Sequence, residues 1–333
     1  MKIVALEEHF AFPNVIEAWR SADARAQGPS LASFAQGPTG ERLTEFGDAR
    51  LAAMDAAGID VQVLSLTTPG VQGLSAGEAV TLATESNDLL ANVIRSRPDR
   101  FQGFATLPTP SPHAAARELE RAVQQLHLQG AMIFGRTGDR NADHADFWPI
   151  FEAASAMRVP LYLHPQTPQD GVVHACYAGL DDQVSSLFAR PGIGWHYEAG
   201  IQIVRLVLAG VFDRFPDLKI ITGHWGEVIL FYLDRLDMLS GPAKLSGKVS
   251  EYLQRHLYVT PSGLFSDRYL RWTLEILGAE HILFSTDYPY QQASRDAVQG
   301  LLQHAELSAE DRDNIAWRNW ERLCSEVRRN VVL

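Results

Sequence analysis

The sequence has few cysteines and no long hydrophobic run. Its 333 residues include two cysteines, Cys176 and Cys324, which form neither a Cys-x-x-Cys motif nor a disulfide framework. This scarcity predicts a reducing compartment, and we expect a cytoplasmic protein. No stretch approaches the roughly 20 apolar residues that a membrane span needs. Glu7 and Glu8 interrupt what would be the apolar core of a signal peptide, which argues against secretion by that route.

Positive charge is also scarce. The chain has 29 Lys and Arg against 40 Asp and Glu, a net charge of −11. It has no basic run that could follow a phosphate backbone, so we do not expect nucleic acid as a partner. A small anionic substrate remains compatible, because a few local cations or a metal can outweigh the overall charge.

Apolar segments alternate with helical segments along the chain. Strands are predicted over 3–10, 59–66, 101–107, 130–135, 159–165, 219–225, 257–260 and 281–287. Continuous apolar strands separated by helices indicate a parallel sheet that is covered on its faces. Eight of them predict an α/β fold, a closed (β/α)8 TIM barrel, in a single domain over residues 1–333. No Gly-x-Gly-x-x-Gly turn follows the first strand, which argues against a dinucleotide-binding sheet.

Two long segments, residues 11–43 and 166–194, interrupt this alternation. Glycine and proline break any periodicity in the first of them, as in Gly28-Pro29-Ser30. Both segments are therefore predicted to be irregular insertions. Because loops of this length are uncommon in a compact domain, the first is expected to form a lid or cap over a functional site.

Polar residues end several of the predicted strands. They are Glu7, His9, His164, His224, Glu227 and Asp287. Taken singly, each has an ordinary structural explanation, such as a hydrogen-bonded core histidine or a turn-starting aspartate. Together they meet at the C-terminal end of the barrel, where TIM-barrel chemistry occurs and where uncompensated buried charge is costly. Glu7 and His9 share one face of the first strand and suit a divalent cation such as zinc or manganese.

The other histidines are interpreted differently. Those predicted to lie on the surface are His113, His127, His144, His256 and His304. His281 begins a strand and so lies at the opposite end from the chemistry. His174 and His196, in or beside the second insertion, could reach the site.

The segments around these strand ends resemble the amidohydrolase superfamily. They include Ala5-Leu6-Glu7-Glu8-His9-Phe10, Leu161-Tyr162-Leu163-His164-Pro165, Gly223-His224-Trp225-Gly226-Glu227 and Ile282-Leu283-Phe284-Ser285-Thr286-Asp287-Tyr288-Pro289. The similar segments cover nearly the whole chain in the order of the family. Glu7-x-His9, in place of the His-x-His of many hydrolases, resembles the aminocarboxymuconate-semialdehyde decarboxylase-like branch and its gamma-resorcylate (2,6-dihydroxybenzoate) decarboxylases.

This resemblance implies a metal-dependent, non-oxidative decarboxylase of a hydroxylated benzoate, a carboxy-lyase. One zinc or manganese ion would be held by Glu7, His9, His164 and Asp287. The ion would bind the substrate carboxylate and an ortho phenolate oxygen. Asp287 would protonate the ipso carbon before CO₂ leaves, and His224, oriented by Glu227, would support the phenolate charge. Arg50 would bind the carboxylate, although a place on a helix surface explains this arginine as well.

Alternatives remain open at this point. A hydrolase or hydratase on the same barrel would use a metal-bound hydroxide on a lactone, an amide or a ring-cleavage product. A non-catalytic barrel would have no need of six clustered acids and imidazoles. We expect a small aromatic carboxylate as substrate, further copies of the chain in a homodimer or homotetramer, and no membrane partner. Residues that could form the interface are Phe188, Trp195, Tyr197, Phe231 and Tyr232.

Overall fold

The computed structural model describes residues 1–23 and 31–329. Its strands are β1 (Val4–Phe10), β2 (Val61–Leu66), β3 (Phe101–Gly103), β4 (Ala105–Thr106), β5 (Ala131–Ile133), β6 (Leu161–Leu163), β7 (Ile220–Thr222) and β8 (Leu257–Val259). All pair in parallel, in the orders β1-β2-β3 and β4-β5-β6-β7-β8.

Hydrogen bonds join the two sheets into the predicted closed barrel. At one seam, the Phe104 amide donates to the Leu64 carbonyl over 2.8 Å. The other seam is residues 282–285, the core of the predicted eighth strand. These residues form single parallel bridges, Ile282 to Val259 and Ser285 to Leu6. The third predicted strand is divided into β3 and β4, and the eighth predicted strand forms only the two bridges. With these two differences, the predicted barrel is confirmed.

Helices cover the outside of the barrel. They are α1 (Pro13–Asp23), α2 (Gly37–Leu43), α3 (Asp48–Ala57), α4 (Ala76–Ser96), α5 (Pro112–Gln124), α6 (Trp148–Met157), α7 (Asp170–Val172), α8 (Asp182–Leu187), α9 (Gly194–Leu208), α10 (Val211–Arg214), α11 (Leu233–Leu236), α12 (Val249–His256), α13 (Asp267–Leu277), α14 (Arg295–Leu302), α15 (Ala309–Asp313) and α16 (Asn319–Glu326). Shorter 3₁₀ and π turns lie between them, and His224–Glu227 forms one further helical turn. No helix in the described part of the chain has the length and apolar character needed to cross a membrane.

The prediction that the two insertions are irregular is wrong for the residues that the structure describes. Residues 24–30 of the first insertion are not among the described residues. The first insertion contains α1 and α2, and the second contains α7, α8 and two π turns, Val173–Tyr177 and Phe188–Gly192. Proline and polar residues mark helix starts here. Pro38 lies in the first turn of α2, and Asp181 caps α8 by accepting the Gln183 amide over 3.0 Å.

The barrel interior is filled by side chains, and α16 closes its N-terminal end. Trp320 packs against Phe104 with ring centres 5.4 Å apart and donates to Gln102 Oε1 over 2.7 Å. His256 is also buried, which corrects its predicted surface position. Its ring stacks on Phe212, and its pKa falls to about 4 because burial disfavours the charged ring. Access to the barrel is thus left at the C-terminal ends of the strands.

Candidate metal centre and active site

The first strand carries two of the predicted metal ligands. β1 holds one extra residue opposite β2 between Ala5 and Glu8. Glu7, inside this bulge, has a φ of 62°, a left-handed conformation that is strained for a glutamate. The bulge directs Glu7 and His9 into one buried cluster. The structure therefore brings the two side chains together as predicted, through a bulge instead of regular alternation.

His164 and Asp287 complete this cluster. His164 follows β6, and Asp287, with a φ of 60°, follows the bridging segment 282–285. The His9 Nε2 atom lies 3.3 Å from Asp287 Oδ1, and His164 Nε2 lies 3.5 Å from Glu7 Oε1. One potential ligand atom from each of the four residues lies within 4.8 Å of the others. We call these four residues the metal cluster.

Two buried atoms of the metal cluster have no hydrogen-bond partner, namely Glu7 Oε1 and His9 Nε2. Unsatisfied buried polar atoms are costly, and a divalent cation would satisfy both. The outer contacts suit that function. His164 Nδ1 lies 2.7 Å from the Pro165 carbonyl, which can only accept, so Nδ1 carries the proton and Nε2 keeps its lone pair. The residues present therefore fit one zinc or manganese ion.

The protonation of the two histidines agrees with ligand chemistry. Burial lowers the pKa of His9 to about 4 and lowers that of His164 well below its ordinary value. Both rings are therefore neutral at neutral pH, which is the form that binds metals. Burial raises the pKa of Glu7, and Asp287 raises it further, whereas His224 and His9 lower it. A bound cation would favour the ionised form of this carboxyl.

His224 and Glu227 form an ion pair beside the metal cluster. Both lie on a left-handed turn in which every residue from His224 to Glu227 has a positive φ. His224 Nδ1 lies 2.8 Å from Glu227 Oε1. Burial alone would lower the pKa of His224, but the charge and hydrogen bond of Glu227 raise it to about 10. This strained turn presents the pair to the substrate cavity described below.

His196 joins this pair from α9. Its Nδ1 lies 2.7 Å from the second oxygen of Glu227, and its Nε2 lies 3.1 Å from the Pro191 carbonyl. His196, which its place beside the second insertion predicts could reach the site, does so. His174, the other candidate, is exposed in the π turn of the second insertion and does not line the cavity described below. We call His196, His224 and Glu227 the acid–base cluster.

Arg50 does not occupy the predicted place. It is fully buried behind β1, where it donates to the His9 carbonyl over 3.0 Å and to Gln62 Oε1 over 2.7 Å. Its guanidinium also lies over the ring of Tyr288, 4.9 Å from its centre. Arg50 therefore supports the backbone at His9 and does not line the cavity, which corrects its predicted contact with the substrate. Glu8 is the feature of the sequence that could have predicted this position. It lies on the face of β1 that points away from the site, and its carboxylate interacts with Arg50.

The two clusters open onto one cavity of about 430 Å³, within the range of small-molecule sites. Both insertions contribute to its wall. The lining residues that are not predicted from the sequence are Ser33, Gln36, Thr39, Thr68, Ser186, Leu187, Arg190, Pro191, Trp195, Ser262, Leu264, Tyr290 and Gln291. Their contribution depends on tertiary contacts, and strand-end placement gives no signal for them.

The fold and this site define a class of protein. The profile of the amidohydrolase family matches residues 8–323, so the chain belongs to that family. A gamma-resorcylate decarboxylase from Polaromonas is 34% identical over 337 residues, which cover 96% of this chain and 97% of that protein.

Solved structures agree with this assignment. The 5-carboxyvanillate decarboxylase of Sphingomonas paucimobilis superposes with a TM-score of 0.88 at 36% identity, covering 97% of this chain and 99% of that one. A dihydroxybenzoic acid decarboxylase from Polaromonas, with bound manganese and the inhibitor 2-nitroresorcinol, gives a TM-score of 0.82 at 32% identity and covers 97% of each chain. The predicted family and TIM-barrel fold are confirmed.

Proposed function

We propose that this chain is a metal-dependent, non-oxidative decarboxylase of a hydroxylated aromatic carboxylic acid. The observation that carries the proposal is the metal cluster, with two unsatisfied buried atoms, directly beside a cationic histidine. The names of the similar proteins support it, since they are decarboxylases of hydroxybenzoate-type acids. The net charge of −11 is no obstacle, because the charges that meet the substrate are local.

In this proposal, Glu7, His9, His164 and Asp287 hold one zinc or manganese ion. When bound, the ion supplies positive charge that attracts and orients the substrate carboxylate and an ortho phenolate oxygen. The protein's own task is to place the aromatic ring in the cavity and to exclude water around the reacting carbon. The cavity size suits a single substituted ring.

Asp287 is proposed as the proton donor. Burial raises its pKa to about 7, and His224 acts in the opposite direction. A bound ion would lower this pKa again, so the role of donor rests on the position of Asp287 at the cavity, from which its carboxyl group would deliver one proton. Transfer of that proton to the ipso carbon forms the new C–H bond. The electron pair of the C–C bond then returns to the ring as CO₂ leaves, which restores aromaticity. Of the two oxygens of Asp287, one can face the metal cluster while the other faces the ring.

His224 is proposed to stabilise the phenolate oxygen while the ring is dearomatised. The Glu227 carboxylate keeps it cationic, as its raised pKa indicates. Burial tends to raise the pKa of Glu227, but the nearby His224 charge and the bonds from His196 and His224 lower it overall. A preorganised positive charge in a buried site is worth more than the same charge in water.

The remaining assignments are also proposals. Residues 1–333 are inferred to act as one barrel domain, which the family match over 8–323 supports. A homodimer or homotetramer is proposed because Tyr197, Phe231 and Tyr232 are exposed around a second pocket, which shares His196 and His224 with the cavity. Neither cysteine is in a disulfide, which agrees with the expected cytoplasmic location.

The test is a product analysis in D₂O. Manganese-loaded protein is incubated with a panel of hydroxylated benzoates, including 2,6-dihydroxybenzoate and 5-carboxyvanillate. We expect CO₂ release and a phenol that carries one deuterium on the carbon that lost the carboxylate. The chain with His174→Asn serves as control, since that exposed histidine does not line the cavity. Simple lactones and amides are incubated in parallel, and their hydrolysis without CO₂ release from the benzoates would instead support the hydrolase alternative.

A further inference from the structure

His196 makes more contacts than a residue of the cavity wall requires. It lies at the start of α9, immediately after the second insertion, and its ring is mostly buried. Both of its nitrogens are engaged, one with the Glu227 carboxylate and one with the Pro191 carbonyl. The rings of His196 and His224 also lie with centres 4.6 Å apart. One carboxylate therefore serves two imidazoles, of which only His224 is part of the mechanism above.

The partners of His196 determine its protonation. A backbone carbonyl can only accept a hydrogen bond, and an ionised carboxylate can only accept as well. Glu227 is ionised at neutral pH, because its two histidine partners outweigh the effect of burial on its pKa. His196 can satisfy both contacts only if both nitrogens carry protons. The ring is then an imidazolium that bridges the insertion and the Glu227 carboxylate.

We propose that His196 is a positioning residue with two contacts. Its Nδ1 holds the Glu227 carboxylate against His224, and its Nε2 links Pro191 of the second insertion to that carboxylate through the ring. The inference deepens the proposed function, because the acid–base cluster is the part of the site that it concerns. Pro191 lines the substrate cavity. The ring of His196 therefore connects Pro191 in the cavity wall with the Glu227 carboxylate that keeps His224 cationic. Through this connection, closing the cavity wall around a substrate is coupled to the position of the Glu227 charge.

The two contacts can be separated by substitution. The amide nitrogen of asparagine can take the place of Nδ1, so His196→Asn keeps a donor for Glu227 and loses the contact with Pro191. The longer glutamine places its amide near Nε2, so His196→Gln keeps a donor for Pro191 and loses Glu227. His196→Phe keeps the ring and loses both donors. His174→Asn in the same insertion is the matched control.

We expect kcat to follow the Glu227 contact. It should fall about tenfold in His196→Phe and His196→Gln and remain within about twofold in His196→Asn, since a charge-assisted hydrogen bond to a buried group is lost in the first two. KM should follow the Pro191 contact and rise in His196→Asn and His196→Phe. In a Glu227→Gln background, His196→Phe should lower kcat by no more than a further twofold. Equal losses in all three variants, additive with Glu227→Gln, would overturn the proposal.

A second measurement does not depend on turnover. Histidine ¹H–¹⁵N correlation spectra of the zinc-loaded protein at neutral pH should show two protonated nitrogens on His196, assigned by the signals that disappear in His196→Asn. A neutral ring with a single proton would contradict the inference even in a fully active decarboxylase. The doubly protonated ring in a protein that decarboxylates none of the panel would support the positioning contact and count against the proposed function alone.

Discussion

The metal cluster and the acid–base cluster share one cavity, yet they differ in how the free-energy cost of burying their polar atoms is offset. In the acid–base cluster, each oxygen of Glu227 has an imidazole partner within 2.8 Å. In the metal cluster, Glu7 Oε1 and His9 Nε2 are buried without any hydrogen bond. The acid–base cluster provides hydrogen-bond partners for both oxygens of its own carboxylate, whereas the metal cluster is complete only when a cation binds. Carboxylates and imidazoles thus bind a cation in one cluster and form an ion pair in the other.

Ser262 connects the two clusters. Its hydroxyl donates to Glu7 Oε2 and accepts the His224 backbone amide over 2.8 Å. This serine therefore links the Glu7 carboxylate to the backbone of the turn that carries His224. The contrast between the clusters can therefore be tested by removing one function at a time.

Asp287→Asn should have the largest effect on the reaction. The amide keeps the shape of the side chain but cannot donate a proton to the ring carbon. We expect kcat to fall by roughly 10³-fold or more, the upper range for loss of a general acid. Metal content should be measured in parallel by elemental analysis. Retained activity would remove Asp287 from the acid role.

Glu227→Gln should have the next largest effect. His224 loses the charge that raises its pKa, so the ring becomes neutral at a lower pH. We expect kcat to fall by about 10²-fold at neutral pH, with metal content unchanged. The pH–rate profile should lose activity at a lower pH than the wild type does. An unchanged profile would show that the His224 charge does not support catalysis.

The same pair predicts a pH effect on stability. The pKa of His224 is raised from 6.5 to about 10, because the Glu227 charge outweighs burial. The pair therefore stabilises the fold fully below about pH 6.5, and this contribution is lost as pH rises through about 10. The Tm advantage of wild type over Glu227→Gln should shrink across that window. A constant difference would contradict the ion pair in the folded state.

Ser262→Ala should have the smallest effect. It removes the hydrogen bond to Glu7 Oε2 and the acceptor of the His224 backbone amide, and it leaves the four ligands in place. We expect metal affinity to fall roughly tenfold, as is typical when a partner of a ligand is lost. Isothermal titration of the metal-free protein with manganese measures this change. A loss of all binding would instead make Ser262 essential to the fold of the site.

The sequence predicted the barrel and the strand-end residues well, for a physical reason. Apolar strands between helices have one economical arrangement, and that arrangement places Glu7, His164, His224 and Asp287 at one rim. The helices of the insertions were missed because glycine and proline were interpreted as interruptions. Arg50 was misplaced because the signal, an arginine in α3, does not say which face of β1 it will reach. The contact of His196 with Glu227 depends on how the second insertion folds back, which no local pattern encodes.

The metal cluster should need a bound cation, and the acid–base cluster should not. Elemental analysis of purified protein, alongside a His9→Ala, His164→Ala variant and a His196→Asn variant, tests this most directly. We predict about one zinc or manganese ion per chain in the wild type and in His196→Asn, and none in the double variant. Wild-type protein without metal, which takes up none on incubation with Mn²⁺ or Zn²⁺, would contradict the account.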